Sequence, residues 1–415
     1  MKIAIIGSGI SGLTAGYLLN KNHDISIYEA NDYIGGHTHT HHIGLDDNNY
    51  AVDTGFIVYN ERTYPNFIKL LDQLGVERQL STMGFSVKSV NEDYEYSGES
   101  LNTLFAKRSN IFRVGFLRML YEMYKFGKEA DASGAGLGSS ITLGQYLKSK
   151  NYSDEFIHYF ITPMGAAIWS TPANKVLDMP AYFFIKFFYN HGMLEIVNRP
   201  KWWVIKNGSS QYIKKIIKGF ENKIHLSSAV VNVSRSKEGV EIFLSNHNET
   251  LKFDSVIFAT HSDQAFKLLD RPTELESEIL QAFPYQKNDV MLHTDSSVLP
   301  TRKLAWASWN YQLDRDPSAP VVLTYNMNIL QSIKANETFC VTLNDFNSVD
   351  QNKVIKKITY HHPLFTVDSI KAQKRKHEIS GINNTYYCGA YWRNGFHEDG
   401  VVSALDVCEQ FGEVL

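Results

Sequence analysis

The sequence predicts an α/β fold with a parallel sheet at its centre, and three local patterns carry that prediction. An apolar run at residues 3–6 leads into a glycine-rich turn, which is typical of a buried parallel strand followed by a helix. A second apolar strand at residues 25–28 follows that helix and ends at Glu29. Near the other end of the chain, residues 387–391 lead into another glycine-rich corner and a helix predicted to begin at Gly400.

The first turn has the spacing of a dinucleotide phosphate site. Gly7 permits the tight turn, Gly9 lets the backbone approach a pyrophosphate, and Gly12 lets the next helix pack closely on the strand. Ser11 opens that helix, predicted over residues 11–20, whose N-terminus attracts phosphate. Glu29 follows Gly9 at the distance at which a carboxylate can bind both ribose hydroxyls, and its charge disfavours NADP.

Glycine-rich corners at both ends of the chain predict one large cofactor held at both ends, which favours FAD over NAD. The predicted cofactor domain is discontinuous and comprises residues 1–62, 200–264 and 376–415. Residues 63–199 read as the helical, aromatic-rich part of a substrate domain, and residues 265–375 as its mixed α+β part. The glycine- and serine-rich residues 133–140 are predicted to form a loop.

Composition narrows the class of protein. The chain has 41 basic and 44 acidic residues, a net charge of −3, and no basic domain, so nucleic acid is not an expected partner. Its three cysteines form no C-x-x-C pair, which predicts reduced thiols and a cytoplasmic location. No apolar run reaches the ~18 residues of a membrane span. Peripheral contact with the inner membrane surface is the alternative location.

These motifs resemble the FAD-dependent amine oxidase and phytoene desaturase superfamily, which implies a glutathione-reductase-like, Rossmann-type FAD-binding domain. The resemblance rests on the first turn, on Glu29, on the central strand at residues 254–260 and on the terminal residues 389–400. Together, the motifs and the resemblance predict the following cofactor-binding residues: Gly7, Gly9, Ser11, Gly12, Glu29, Ala30, Gly35, Gly36, His37, Thr38, Val230, Ala259, Thr260, Gly389, Phe396, His397, Gly400 and Val401.

Within that superfamily the chain is similar to predicted bacterial flavoproteins encoded beside cyclopropane fatty acid synthase. The similarity lies in residues 36–40, 187–192, 306–311, 362–365 and 395–400, and it implies a lipid methyltransferase as a partner. There are two departures from the superfamily pattern. His37 stands where amine oxidases usually carry arginine, and Asn207-Gly208 replaces a glycine pair.

The catalytic residues are less well defined by the sequence. An N-terminal helix end near Gly400, aimed at the flavin, would stabilise negative charge on the reduced ring and raise its reduction potential. His397 and Glu398 are either proton carriers or structural hydrogen-bonding groups. His191 and His362 are either acid–base groups or core residues. Tyr391 and Trp392 could form an aromatic wall, but no lysine can be assigned beside the flavin.

The histidines at 37, 39 and 41 could share one strand face, but no carboxylate or cysteine completes a metal site, so no metal is predicted.

An unusual density of aromatic residues suggests an apolar substrate. We expect several of Tyr182, Phe183, Phe187, Phe188, Trp202 and Trp203 to wall an acyl-chain channel; the alternative is an ordinary core helix. Residues 121–128 interleave aromatic side chains with lysines, as a membrane-facing mouth would.

The predicted function is therefore an FAD-dependent oxidoreductase that takes a hydride from a fatty-acyl or lipid chain. The alternatives are a flavin amine oxidase and a non-catalytic flavoprotein partner of a lipid methyltransferase.

Overall fold

A computed structural model describes residues 1–89, 92–129, 141–195, 199–245, 250–314 and 316–415 of the chain. The loop predicted at residues 133–140 lies outside these described residues. Within the described part of the chain, no helix is both long enough and apolar enough to cross a bilayer.

The strands, in chain order, are β1 (Lys2–Ile6), β2 (Asp24–Tyr28), β3 (Thr40–Leu45), β4 (Asn48–Asp53), β5 (Val58–Asn60), β6 (Arg78–Ser81), β7 (Phe85–Ser89), β8 (Glu95–Ser97), β9 (Trp202–Ile205), β10 (Ile224–His225), β11 (Val230–Ser236), β12 (Gly239–Leu244), β13 (Leu251–Phe253), β14 (Ser255–Phe258), β15 (Tyr285–His293), β16 (Trp309–Leu313), β17 (Val322–Asn326), β18 (Cys340–Leu343), β19 (Val354–Pro363) and β20 (Thr385–Tyr387).

The α-helices are α1 (Ile10–Leu19), α2 (Pro65–Gln73), α3 (Leu101–Leu104), α4 (Val114–Glu129), α5 (Leu143–Ser149), α6 (Asp154–Phe156), α7 (Thr162–Trp169), α8 (Ala173–Asp178), α9 (Ala181–Asn190), α10 (Ser210–Ile216), α11 (Ser262–Leu268), α12 (Glu274–Leu280), α13 (Met327–Leu330), α14 (Val367–Gln373) and α15 (His397–Cys408).

A parallel sheet of order β10-β2-β1-β14-β20 forms the centre of the cofactor domain. Its strands come from all three chain ranges predicted for that domain, and β1 pairs with β2 on one side and β14 on the other. Ile3 and Ile5 are buried on one face of β1, and Ala4 and Ile6 are buried on the other, so both faces of this strand are covered. The predicted α/β fold class with a Rossmann-type sheet is confirmed.

A second, larger sheet of order β19-β15-β18-β17-β16-β7-β8 stands beside the first. Residues 63–199 contribute β7 and β8 to it, so this range, predicted as helical, also contains strands between residues 78 and 97. Both strands alternate apolar and polar residues, but β7 has only five residues and β8 only three, and such short alternation is a weak signal. Inside the sheet, the buried hydroxyl of Ser86 donates to Asn310 Oδ1 at 2.8 Å.

Helices α4 to α9 form a layer packed on this larger sheet. Its core is largely aromatic, with Phe116, Phe126, Phe156, Phe184 and Phe188 all almost fully buried. The aromatic density of the sequence is therefore largely a property of this core.

Candidate functional site

A cavity of about 740 Å³ runs from the carboxyl ends of β1 and β2 to the larger sheet and the helical layer. This is where parallel α/β sheets bind their ligands. At one end it is lined by residues of the glycine-rich turn and by Glu29, and at the other by aromatic side chains. Residues from 6 to 397 reach it, so both chain ends contribute to a single site.

The glycine-rich turn forms a cradle for a bulky group. Gly7 has a positive φ of 102°, which favours glycine at the point where β1 turns into α1. A side chain at Gly9 would project into the open cavity, since no atom lies within 4 Å of its Cβ position. A Cβ on Gly12 would lie 2.0 Å from the carbonyl oxygen of Gly7, so the helix and strand pack as closely as the sequence predicts.

Glu29 is fixed at the edge of this cradle. Its carboxylate accepts hydrogen bonds from the backbone N–H of Ser8 at 2.9 Å and from that of Asn31 at 2.9 Å. The side chains of the same two residues also donate to it. The two backbone N–H groups hold the carboxylate in place. The side chains of Ser8 and Asn31 can rotate away without any movement of the backbone, which frees the carboxylate oxygens to accept hydrogen bonds from ribose hydroxyls. The residue therefore fits the role predicted for it.

Four histidines surround the middle of the cavity. The ring of His37 stacks on Tyr360, with centroids 4.9 Å apart, and lies 5.3 Å from that of His362 and 6.2 Å from that of His261. Burial, aided by the neighbouring imidazoles of His261 and His361, lowers the pKa of His37 to about 3. Burial also lowers the pKa of His362 to about 3 and that of His261 to about 4. These rings are neutral at neutral pH.

The Nε2 atom of His37 is buried without a hydrogen-bond partner within the described residues, as is Nε1 of Trp309, which also lines the cavity. Unpaired buried polar atoms are rare in folded proteins. The open space at Gly9 and the fixed Glu29 fit a dinucleotide such as FAD.

The terminal helix α15 points its N-terminus at the cavity, but it begins at His397 and not at Gly400 as predicted. Phe396 and His397 line the cavity. The backbone N–H of Phe396 donates to Asp399 at 2.9 Å, which caps the helix one turn earlier than expected. Gly400 is instead a packing residue, because its Cβ position lies 2.7 Å from Ile10 Cγ2 and its carbonyl accepts from Ser11 Oγ at 2.9 Å.

His397 is held from three sides. Its ring stacks on Phe56 at 3.5 Å, and its Nε2 lies 3.0 Å from the hydroxyl of Thr38 and 3.1 Å from that of Tyr212. Burial lowers its pKa well below the usual value, so the ring is neutral. Thr38 therefore supports His397 from behind and does not itself line the cavity.

Glu398 has a structural role. Its carboxylate accepts hydrogen bonds from the backbone N–H groups of Asn66 at 3.1 Å and Phe67 at 2.8 Å, which are the free donors at the start of α2. Of the two roles left open for this residue, the geometry supports structural hydrogen bonding.

The aromatic end of the cavity is built from other residues than those predicted. Trp169, Phe365 and Phe396 line it, whereas none of the six aromatic residues predicted as channel walls does so. Phe183 stacks on Phe365 at 5.0 Å and Phe187 stacks on Phe396 at 5.1 Å, so helix α9 supports the wall from behind. That prediction is wrong because α9 is enclosed by neighbouring helices. Trp202 and Trp203 lie on β9, in a separate sheet with β5 and β6.

The predicted residues divide into two groups. The cavity brings together Gly7, Gly9, Ser11, Glu29, Ala30, Gly35, Gly36, His37, Val230, Ala259, Thr260, His362, Gly389, Tyr391, Phe396 and His397. It does not include Gly12, Thr38, His191, Trp392, Gly400 or Val401, which pack behind it or elsewhere.

Sequence reasoning missed His261, Tyr360 and Phe365 as members of this cavity. His261 directly follows the predicted Thr260, which was the available signal. Phe365 lies in the segment 362–365 that carried the family resemblance, which was its signal. Tyr360 carries no local signal, because it reaches the cavity through the pairing of β19 with β15.

A second cavity, of about 770 Å³, adjoins the first and shares Tyr64 and Phe396 with it. It is more polar, and its lining includes Arg62, Glu195, Arg393, Glu398 and Asp399. His191 lies here, with Nδ1 2.9 Å from the carbonyl oxygen of Phe187, and burial lowers its pKa to about 4.

Comparison with known proteins identifies the family of this chain. Residues 10–318 match the family described as flavin containing amine oxidoreductase. Zeta-carotene desaturase of Arabidopsis thaliana is 30% identical over 94 residues, which are 22% of this chain and 16% of that protein. The chain therefore matches less than a fifth of that relative's length.

Two solved structures cover almost the whole chain. The CLA-producing fatty acid isomerase from P. acnes superposes with a TM-score of 0.72 at 15% identity and covers 99% of this chain and 98% of its own. Putrescine oxidase bound to putrescine gives a TM-score of 0.71 at 14% identity, with 99% of both chains covered. At such identities the likeness establishes the fold.

The family match, which spans most of the chain, agrees with the cradle, the fixed carboxylate and the terminal helix in implying FAD as the cofactor. The chain belongs to the flavin containing amine oxidoreductases, a family of FAD-dependent oxidoreductases.

Proposed function

We propose that the protein takes a hydride from an apolar substrate, a fatty-acyl or other lipid chain. One observation carries this proposal. Among the described residues that line the main cavity, Glu29 is the only carboxylate, and it is held at the end where the ribose would bind. The other end is walled by Trp169, Phe365 and Phe396 and presents no acidic group to a substrate.

This lining suits an apolar chain better than an amine. An ammonium group buried without a carboxylate is strongly penalised, whereas each buried methylene contributes about 0.8 kcal/mol. Lys267 is the only lysine among the described lining residues, and it lies on α11 beside Gln264 and Leu268. A lysine beside the reacting ring, typical of amine oxidation, therefore has no counterpart at the aromatic end.

When bound, FAD supplies the acceptor for the hydride. The chain's own groups do the rest of the work. The aromatic wall excludes water and orients the substrate, and the N-terminus of α15 favours negative charge at its end of the cavity. Burial keeps the imidazoles of His37, His261 and His362 neutral, so they add no positive charge to the cavity and suit an uncharged substrate.

The names of similar proteins favour both substrate classes. A carotene desaturase and a fatty acid isomerase act on apolar chains, and putrescine oxidase acts on an amine. Amine oxidation is the second candidate, and the observation in its favour is the second cavity, where Glu398 and Asp399 lie just behind Phe396. Glu398 is already used to cap α2, which is why we rank amine oxidation second.

The test is anaerobic reduction of the bound flavin, followed by its absorbance. We expect fatty-acyl substrates to reduce it faster as the chain lengthens, until the cavity is full, and polyamines to leave it oxidised. Reduction by polyamines alone would overturn the proposal in favour of amine oxidation. Reduction by neither series would favour the non-catalytic partner of a lipid methyltransferase.

A matched pair of variants makes the test specific to the cavity. Phe365 lines the cavity and Phe183 stacks on it from outside, and both are buried. We expect Phe365→Ala to shift the preferred chain length to longer substrates, because it enlarges the cavity. Phe183→Ala should lower the free energy of unfolding by about 3–5 kcal/mol and leave the preferred length unchanged. An unchanged preference in Phe365→Ala would place the substrate elsewhere.

A further inference from the structure

Helix α4 has apolar residues on two opposite faces. Its inner face packs Phe116, Met119 and Phe126 into the core of the helical layer. Its outer face carries Val114, Leu117, Tyr121 and Tyr124, and Phe112 lies two residues before the helix. Phe112 is 86% exposed, Val114 80% and Tyr121 65%. An outward helix face in water is normally polar, so this outer face needs a partner.

The outer face is also positively charged. Arg118 and Lys128 lie on the same side of the helix, and Lys128 sits over the ring of Tyr124 at 5.8 Å. Residues 101–129 contain six basic and two acidic residues, in a chain whose net charge is −3. One of the six, Lys107, is buried against Asp93 and does not contribute to the surface. Of the two acidic residues, Glu122 is buried beneath Arg118, and Glu129 lies 3.8 Å from Lys125.

Exposed aromatic and aliphatic side chains interleaved with basic ones are the composition of a helix that lies in the surface of a membrane. The apolar groups enter the boundary between head groups and acyl chains, and the basic groups remain with the phosphates. The 16 residues of α4 span about 24 Å, which is enough for several turns to contact lipid side by side.

We propose that the outer face of α4 docks the protein on an anionic lipid bilayer. Phe112 and Val114 insert between the acyl chains, Tyr121 and Tyr124 lie at head-group level, and Arg118 and Lys128 contact lipid phosphates. The positive charge selects an anionic surface over a neutral one, and it makes binding weaker as salt rises. This inference rests on the surface of α4 alone and is independent of the reaction proposed for the cavity.

The experiment uses the full-length, FAD-loaded protein and co-sedimentation with lipid vesicles. One set of vesicles is pure phosphatidylcholine, and the other is an equimolar mixture of phosphatidylcholine and phosphatidylglycerol. We expect strong binding to the anionic vesicles, weak binding to the neutral ones, and loss of binding at high salt. Absence of binding to the anionic vesicles would overturn the proposal, whatever the enzyme does with its substrates.

Surface variants locate the contact. Phe112→Ser combined with Val114→Ser should weaken partitioning by about tenfold or more, because both side chains leave water on binding. Lys128→Glu should weaken binding to anionic vesicles only. The matched controls are Val231→Ser, at an exposed position of β11, and Lys334→Glu, at an exposed position in the loop after α13. Both should bind as the wild type does.

Equal loss in the controls and in the α4 variants would show that the contact is not specific to this face. A dimer in solution that the double serine variant dissociates would assign the face to a second copy of the chain. Either result would contradict the proposal.

Discussion

Gly9 and Gly12 lie three residues apart and lack a side chain for opposite reasons. The Cβ position of Gly9 faces open space in the cavity, with no atom within 4 Å. That of Gly12 lies 2.0 Å from the carbonyl oxygen of Gly7, inside the contact between α1 and β1. One glycine therefore leaves room for a ligand, and the other leaves room for the protein's own backbone.

This contrast gives a prediction for Gly9. We expect Gly9→Val to fold normally, because the new side chain meets no protein atom, and to lose FAD, because it fills the cradle. The measurement is the flavin content of the purified variant together with its far-ultraviolet circular dichroism.

Gly44→Val is the matched control, since Gly44 also has no atom within 4 Å of its Cβ position but lies on β3, outside the cavity lining. Stoichiometric FAD in Gly9→Val would mean that the phosphates bind elsewhere.

Residue-level prediction succeeded where the signal is local. The turn glycines and Glu29 could be placed from the sequence because a strand, a tight turn and a helix fix their relative positions within 30 residues. Tyr360 could not, because it reaches the cavity only through the position of β19 in a different sheet. The aromatic residues of helix α9 were wrongly predicted to wall a channel, because aromatic residues in a core and in a channel wall have the same sequence pattern.

At the scale of elements, α15 connects more of the molecule than its sequence suggests. Its first turn caps itself through Asp399, caps α2 through Glu398, and packs against α1 at Gly400. From the sequence, helix α15 was predicted to begin at Gly400, with this glycine as its boundary. In the structure it lies inside the helix, because only a residue without a side chain allows α1 to approach this closely.

Asp399 makes stability depend on pH. Burial raises the pKa of its carboxyl to about 7, above the ~3.9 of an unfolded chain. Between these two values the folded protein binds the proton more tightly than the unfolded chain does. The contribution of this group to stability is therefore full below about pH 4 and is lost as the pH rises towards 7.

We expect Asp399→Asn, which keeps an oxygen to accept from the N–H of Phe396, to be more stable than the wild type at pH 8 by ~2–4 kcal/mol. Near pH 4 the difference should vanish. Denaturant unfolding at the two pH values measures it. Burial also raises the pKa of Asp53, to about 6. Both proteins contain Asp53, so its contribution to the pH dependence cancels when their stabilities are compared.

Glu409→Gln, an exposed change just after the end of the same helix, is the control and should not alter the pH dependence. Equal pH slopes for Asp399→Asn and the wild type would contradict the assignment.

At the scale of the whole molecule, the cofactor cavity joins distant parts of the chain. Gly9, Thr260 and Gly389 reach it from the three segments of the parallel sheet, and Tyr360 reaches it from the larger sheet. The periodicity and the terminal motifs predicted the three segments. They could not predict the larger sheet's order, in which β7 pairs in parallel with β16, because pairing between distant strands has no local signature.

Such a site predicts that FAD stabilises the entire chain. A free FAD concentration of about 100 times Kd should add about 2.7 kcal/mol to the free energy of unfolding and raise Tm. FMN, which lacks the adenosine half, cannot reach Glu29 and should raise Tm less. Thermal unfolding across a titration of each flavin is the measurement. Gly9→Val should show no FAD-dependent rise, and equal protection by FMN would mean that the Glu29 end is not used.

The parallel sheet has a consequence for how the protein is made. The N–H of Lys2 bonds to Asp254, 252 residues later, and β20 joins the same sheet only after residue 385. At typical translation speeds, the ribosome produces β1 roughly 10–50 s before its partner β14. During that interval β1 can pair with β2 on one side only, and its other edge stays open until β14 is made. The nascent chain must therefore be shielded from aggregation at this edge.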